Sequence, residues 1–303
     1  MRKAVKKLLS EQAFDVLIGW WHEASFLHAL TRARGMVFAI NAAASYRKIY
    51  ERLRRRKVGW LLRGPLRKAD VIFVRSDFTR RELVECVGVE DRHVRKVHCG
   101  VRPGFFDVPR SVPESIDRLI YFGSLTPAKG VFDLIAALGR LTDPDLGDWR
   151  LRIIGFGDQE PVRAAAREHG VTDRLEILGG LGPEELMAQL EWARLAVLPS
   201  SSESFGLAVV ESQAAGLPVI AYDAGAVPEV LADGISGWLV PVSRTDLLAQ
   251  AIAAAMRAPE ASGRIGLAGR ERVARLYAWE RTARETLTAL EETKRRIGGP
   301  DFG

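Results

Sequence analysis

The sequence predicts an α/β protein built on parallel sheets in two domains, and three observations carry that prediction. From residue 118 onward, short and continuously apolar runs alternate with amphipathic segments of helical period. The same alternation, shorter and less regular, occupies residues 14 to 100. Between them PGFFDVPRSVPES, residues 103–115, has three prolines and no periodicity, as a linker would. Strands that are apolar throughout and are joined by single helices belong to a sheet covered on both faces, which is the parallel arrangement.

In the first part the expected strands are FDVLIGW (14–20), GMVFAIN (35–41), DVIFVRS (70–76) and RHVRKVHCG (92–100), with helices between them. In the second they are RLIYF (118–122), LRIIG (151–155), RLEIL (174–178), LAVLP (195–199), PVIAY (218–222) and GWLVP (237–241). Helical patterns fall near 129–140, 159–169, 183–192, 206–215, 226–233 and 244–257. Two further segments rich in Arg and Glu, 261–277 and 279–296, are expected as solvated surface helices. The expected division is a shortened N-terminal α/β domain over 1–107, a linker over 108–117, a larger C-terminal α/β domain over 118–278, and a helix and tail over 279–303.

With 303 residues, 47% hydrophobic and 27% charged, the chain has the balance of a folded protein with room for two cores. Disordered, collagenous and disulfide-scaffold classes are excluded. Cys86 and Cys99 have no metal-ligand spacing, which fits a reducing cytoplasmic setting. The apolar runs are broken before they reach the length of a membrane span, so no transmembrane helix is expected. The basic start, MRKAVKKLLSEQAFDVLIGWW, is interrupted by Glu11 and Asp15 and makes a poor signal peptide.

Charge is distributed unevenly. Residues 1–110 hold 24 Lys and Arg against 11 Asp and Glu, or +13, whereas the remainder holds 20 against 27, or −7. The basic half calls for an anionic partner, and nucleic acid, an acidic membrane and a phosphate-bearing substrate all satisfy charge alone. Ten of the cations lie between Arg47 and Lys68, interleaved with Tyr46, Tyr50, Trp60, Leu61 and Leu62. Residues 46–68 can therefore lie on an anionic bilayer with their apolar side chains inserted, as a peripheral protein of the inner membrane face. Alternatively they form a solvated helix face whose aromatics rest on the domain. No RNA-binding motif accompanies the charge.

The stretch that carries chemistry is LPSSSESFGLAVVESQAAGLPVIAYDAGAVPEVLADGISGWLVPV, residues 198–242. A strand ends at Pro199, a polar loop carries Glu203, and Gly206 opens a helix that bears Glu211. The free N–H groups of a helix start favour an anion such as a diphosphate, and a glycine there admits it close to the backbone. Glu211, a turn further on, suits a ribose diol, as the acidic residue of dinucleotide sites does. Lys129, in YFGSLTPAKG after the first strand of this domain, reaches the same mouth and faces a departing diphosphate. GFG at 155–157 lacks the full dinucleotide spacing and reads as a tight turn lining the base. His93, His98 and His169 have no constellation around them.

The spacing of Glu203 to Glu211 around Ser204-Phe205-Gly206, followed by AAGLPVIA, GAVPE and DGISGWLV and preceded by FGSLTPAKG, closely resembles the retaining glycosyltransferases of family 4. That resemblance implies the GT-B fold, two Rossmann-like domains facing a cleft, here with the N-terminal domain incomplete. It implies Glu203 on the hydroxyls of the donor sugar and the backbone of Phe205, Gly206 and Leu207 near sugar and phosphates. Glu211 then meets the ribose, Lys129 the diphosphate, and Gly123 and Ser124 the nucleotide at the first turn. The donor would be a UDP- or GDP-sugar, with no metal or other cofactor, and the acceptor a glycan, a lipid-linked sugar or a small molecule.

The pattern is broken in three places. Ser124 stands where the family usually has Arg, and Asn41 where members commonly carry a His that faces the sugar. His22, in WWHEAS, is the histidine placed to face the cleft in its stead. The family's opening strand and Gly-rich turn are not found ahead of residue 14, so either the gene start is truncated or a partner chain supplies the acceptor half. These departures keep open a non-catalytic nucleotide-sugar-binding subunit, and the +13 half keeps open a basic nucleic-acid-binding protein.

Overall fold

The computed structural model describes residues 14–20, 36–42, 46–55, 64 and 66–298. The chain divides into two compact units, one of Met1–Gly100 with Glu280–Gly303 and one of Val101–Trp279.

The first unit holds a four-stranded parallel sheet in sequence order: β1 (Val16–Trp20), β2 (Val37–Ala42), β3 (Val71–Val74) and β4 (Val94–Lys96). Successive side chains of a strand point to opposite faces, so one apolar run serves two cores. Phe38, Ile40, Ile72 and Val74 pack with Tyr46 and Tyr50 of helix α1 (Tyr46–Arg55). Val37, Ala39, Val71 and Phe73 pack instead with Ala289 and Leu290 of the C-terminal helix, Trp279–Arg296. That helix is not the solvated surface segment expected from its Arg and Glu content. Its Lys294 is 1% exposed, and the ammonium lies 2.5 Å from Asp15 Oδ1.

The basic run is resolved for α1, where the aromatics rest on the domain. Tyr46 and Tyr50 are buried in the core and unavailable for membrane insertion, while Arg47, Arg52, Arg54 and Arg55 are exposed. Trp60, Leu61 and Leu62 lie outside the described residues. After β3, helix α2 (Asp77–Arg81) is capped by Ser76 Oγ, which accepts from Thr79 N–H, and runs on into a wider turn over Glu82–Val87. The strand expected over 92–100 shrinks to Val94–Lys96, because a 3₁₀ turn occupies Asp91–His93 and His98 leaves the sheet to bond Glu285.

The second unit is a six-stranded parallel sheet of β5 (Arg118–Phe122), β6 (Arg150–Ile154), β7 (Leu175–Gly179), β8 (Leu195–Leu198), β9 (Val219–Tyr222) and β10 (Trp238–Val240). Its spatial order is β10-β9-β8-β5-β6-β7, the doubly wound order of dinucleotide-binding domains. The connecting helices are α3 (Val131–Leu138), α4 (Glu160–Glu168), α5 (Pro183–Trp192), α6 (Leu207–Ala214), the short α7 (Val227–Val230) and α8 (Thr245–Arg257). Helix α9 (Pro259–Leu276) follows, and it too buries one face, including Gly263, Gly266 and Val273. Among the described residues no helix is long and apolar enough to cross a membrane.

The expected linker is an integral part of this unit. Phe105 and Val108 are buried, and Pro103–Asp107 forms a 3₁₀ turn. The Arg110 guanidinium donates to the carbonyls of Ala215 (3.0 Å), Ala193 (2.7 Å) and Leu190 (2.6 Å). Those are carbonyls that the ends of α6 and α5 leave without helical partners.

Candidate functional site

In a doubly wound sheet, ligands bind outside the carboxyl ends of the strands where the order reverses. Here that point lies between β5 and β8, which are adjacent in space and distant in sequence. The loop leaving β5 runs from Gly123 to Gly130, and the loop leaving β8 runs from Pro199 to Gly206.

Both loops are pinned. The Tyr121 hydroxyl donates to the carbonyl of Ser124 at 3.0 Å, which folds the first loop back on its strand. Ser201 N–H donates to the Ala128 carbonyl at 3.0 Å, joining the two loops. Glu203 is held from the other side, where Ala226 N–H donates to its carbonyl at 2.9 Å. A Cβ at Gly225 would stand 2.1 Å from that carbonyl oxygen, so the GAVPE segment needs glycine there to approach. The consequence is that Lys129 Nζ meets Glu203 Oε1 at 2.5 Å.

Above the pair, Gly206 adopts φ +92° and opens α6, whose first N–H groups lack helical acceptors. A cavity of about 120 Å³ results, lined among others by Gly123, Lys129, Ser200, Glu203, Gly206 and Leu207. A cation, a carboxylate and a helix start thus share one small space. This combination suits a ligand that carries both an anionic group and hydroxyls.

The remaining expected residues fall around it. Phe205 is buried with its ring against Tyr277, centroids 5.7 Å apart, so its side chain supports the loop, and it does not line the cavity. Ser124 is exposed on the first loop and does not line the cavity. Glu211, in the second turn of α6, also lies outside the lining. Burial pushes its carboxyl up to about 7, against an opposing pull from Arg102. Glu211 makes no side-chain hydrogen bond or ion pair among the described residues. Asn41, at the end of β2 in the first unit, is 4% exposed, and its Oδ1 has no hydrogen-bond partner among the described residues. His22 lies outside the described residues.

Sequence reasoning missed two contributors. Ser200 lines the cavity but sits in a run of like serines. Arg102, just ahead of the aperiodic segment, bears on Glu211, and nothing in the local pattern marks it. The GFG turn expected to line the base leaves Phe156 76% exposed beside the first loop, where Leu125 N–H donates to its carbonyl at 2.9 Å.

Known proteins are similar to this chain. The family model described as glycosyl transferases group 1 matches residues 109–272, and the one described as glycosyltransferase family 4 matches residues 1–105. A D-inositol 3-phosphate glycosyltransferase of Saccharomonospora viridis is 30% identical over 77% of this chain and 58% of its own length. An MMP alpha-(1->4)-mannosyltransferase of Mycolicibacterium hassiacum is 33% identical over 60% of this chain and 44% of its own. The chain thus spans about half the length of these curated relatives. Among solved structures, sucrose-phosphate synthase from Thermosynechococcus elongatus superposes with a TM-score of 0.84 at 21% identity, covering 97% of this chain and 77% of that one. An Anabaena protein, HepE, in complex with UDP and glucose superposes with a TM-score of 0.81 at 17% identity, covering 95% and 80%.

Proposed function

Since the chain belongs to the glycosyl transferases group 1 family, with the two Rossmann-like domains of the GT-B fold, we propose that it moves a sugar from a nucleotide-diphosphate sugar to an acceptor with retention of configuration. The observation that carries this reading is the Lys129–Glu203 pair at the strand-order reversal, beside the start of α6. On binding, the diphosphate takes Lys129 and the free N–H groups of α6, and Glu203 turns to the sugar hydroxyls. Glu211 receives the ribose diol. The acceptor oxygen bonds to the anomeric carbon as the bond from that carbon to the diphosphate oxygen breaks. The departing diphosphate accepts the acceptor's proton on the same face, so no protein nucleophile is required. Lys129 and the α6 amides supply the positive charge that the leaving group needs, and the transfer calls for no metal.

The donor is read as a UDP- or GDP-sugar and the acceptor as a glycan, a lipid-linked sugar or a small molecule, in the cytoplasm. HepE, solved with UDP and glucose, supports the donor class. Calorimetric titration of the chain with UDP and with GDP tests the reading. One of them is expected to bind, and Glu211→Ala to weaken it at least tenfold; binding of neither, or unchanged affinity in the variant, refutes it. The sign of the pH dependence follows from the raised carboxyl. Below about pH 7 Glu211 is protonated, and above it the carboxylate accepts stronger, charge-assisted hydrogen bonds from a diol. The gap in affinity between the parent and Glu211→Ala should therefore widen as pH rises through 7.

The exposed arginines of α1 support an anionic membrane surface as a further partner, engaged by charge and not by insertion of Tyr46 or Tyr50. The protein should sediment with anionic vesicles, not with neutral ones, and salt should release it.

A further inference from the structure

We propose that the second unit carries another anion site, for a small phosphate-bearing molecule, at the amino-terminal edge of its sheet, where Arg110, Arg118 and Arg194 converge beside Trp192. The three arginines line a cavity of about 600 Å³ together with Pro109, Ser111, Ala188, Glu191 and Trp192. A space of that size is in the range of small-molecule sites. Arg118 opens β5, and Arg194 immediately precedes β8, with Arg194 N–H donating to the Arg118 carbonyl at 2.7 Å. The cavity is therefore at the opposite end of the same two strands from the Lys129 crevice. With five residues in β5 the separation is roughly 15 Å along the strand.

The charges there are incompletely answered from within the protein. Arg110 spends three of its five N–H donors on the carbonyls already described. Arg194 Nη1 likewise donates to carbonyls, those of Glu191 and Ala193, each at 3.0 Å. Among the described residues neither the buried Arg118 Nε nor Asp117 Oδ1 makes a hydrogen bond, and the two face each other only as a loose ion pair at 3.6 Å. Among the described residues, then, none of the three guanidinium groups donates to a carboxylate.

The crowding of like charge is felt by the groups themselves. Burial, with Arg194, Arg270 and Arg118 nearby, pushes the Arg110 guanidinium down to about 10. Arg194 is lowered too, by burial first and then by Arg118. Asp117 and Glu191 oppose this in part. The wall is also stiffened, since Arg152 stacks over the Trp192 ring 4.0 Å from its centroid while bonding Glu176 and Gln189. Convergent guanidinium groups of fixed orientation that make no hydrogen bond to a carboxylate suit the oxygens of a phosphate group. A bound phosphate would relieve the mutual repulsion of the three arginines.

Inorganic pyrophosphate titrated calorimetrically at constant ionic strength tests the site, using the Lys129→Ala chain so that the donor crevice lacks its cation. Saturable binding is expected to persist in that chain and to weaken at least tenfold on adding Arg118→Gln or Arg194→Gln. Because those arginines also touch structure, Ser111→Glu provides a second probe. Ser111 is an exposed lining residue, so the substitution should abolish binding without moving the urea midpoint. Binding that disappears in Lys129→Ala would place the anion in the donor crevice only and overturn the proposal. So would an affinity unchanged by Ser111→Glu.

Discussion

Replacing Lys129 by alanine is expected to weaken binding of a nucleoside diphosphate about 100-fold while leaving the bare nucleoside nearly unaffected. A hydrogen-bonded charge interaction contributes about 1.5–3 kcal/mol, which alone gives roughly ten- to 100-fold. The upper figure applies because the loss is double. Lys129 is the hydrogen-bonded counter-ion of Glu203, whose side chain is only 17% exposed, so alanine also leaves an unneutralised carboxylate facing the incoming diphosphate. Adding Glu203→Gln to Lys129→Ala should therefore recover part of the diphosphate affinity, and the double-mutant cycle isolates the coupling. Equal loss for nucleoside and diphosphate would show that the substitution damages the fold and not a phosphate subsite. No loss for either would remove Lys129 from the site.

The same pair shows what a sequence can and cannot reveal. The positions of Lys129 and Glu203 at strand ends were legible, because β5 and β8 announce themselves as apolar runs and parallel strands bring their carboxyl ends together. RLIYF over 118–122 and the helix over 183–192 have the bounds expected of them. That the two side chains bond each other was not legible, since it depends on a few ångströms of loop path set by Ala226 and Ser201.

Where local pattern failed, the partner was remote. Arg110 sits in an aperiodic, proline-bearing segment, and its role is to satisfy helix-end carbonyls some 80 to 105 residues away. The C-terminal helix has an amphipathic sequence, but nothing in it states that Ala289 and Leu290 cover Val37 and Phe73 at the other end of the chain. Competing local bonds also moved boundaries. The helix expected over 226–233 stops at Val230, because Leu231 turns to extended geometry and Ala232 N–H is taken by Ser236 Oγ. Periodicity reports which face of an element is apolar and is silent on which neighbour it meets.

Gly130→Ala should be the most damaging single-methyl change in the second unit, lowering stability by about 3–5 kcal/mol and abolishing nucleotide binding. Two costs combine. Gly130 has φ +75°, a left-handed conformation that strains a non-glycine residue by about 1 kcal/mol or more. In addition, its added Cβ would stand 1.9 Å from the carbonyl oxygen of Pro199, a backbone atom at the end of β8 that cannot swing aside. The chain must separate the loops after β5 and β8, breaking the Ser201–Ala128 bond and drawing Lys129 away from Glu203. Gly147→Ala distinguishes the two costs, since Gly147 has φ +69° with nothing within 4 Å of the added carbon. It should lose only the conformational part and bind nucleotide as the parent does. Urea unfolding compared across the parent and both variants reads the difference at constant slope. If both glycine variants lost the same stability, the close approach of the two loops would not be what holds the donor crevice together.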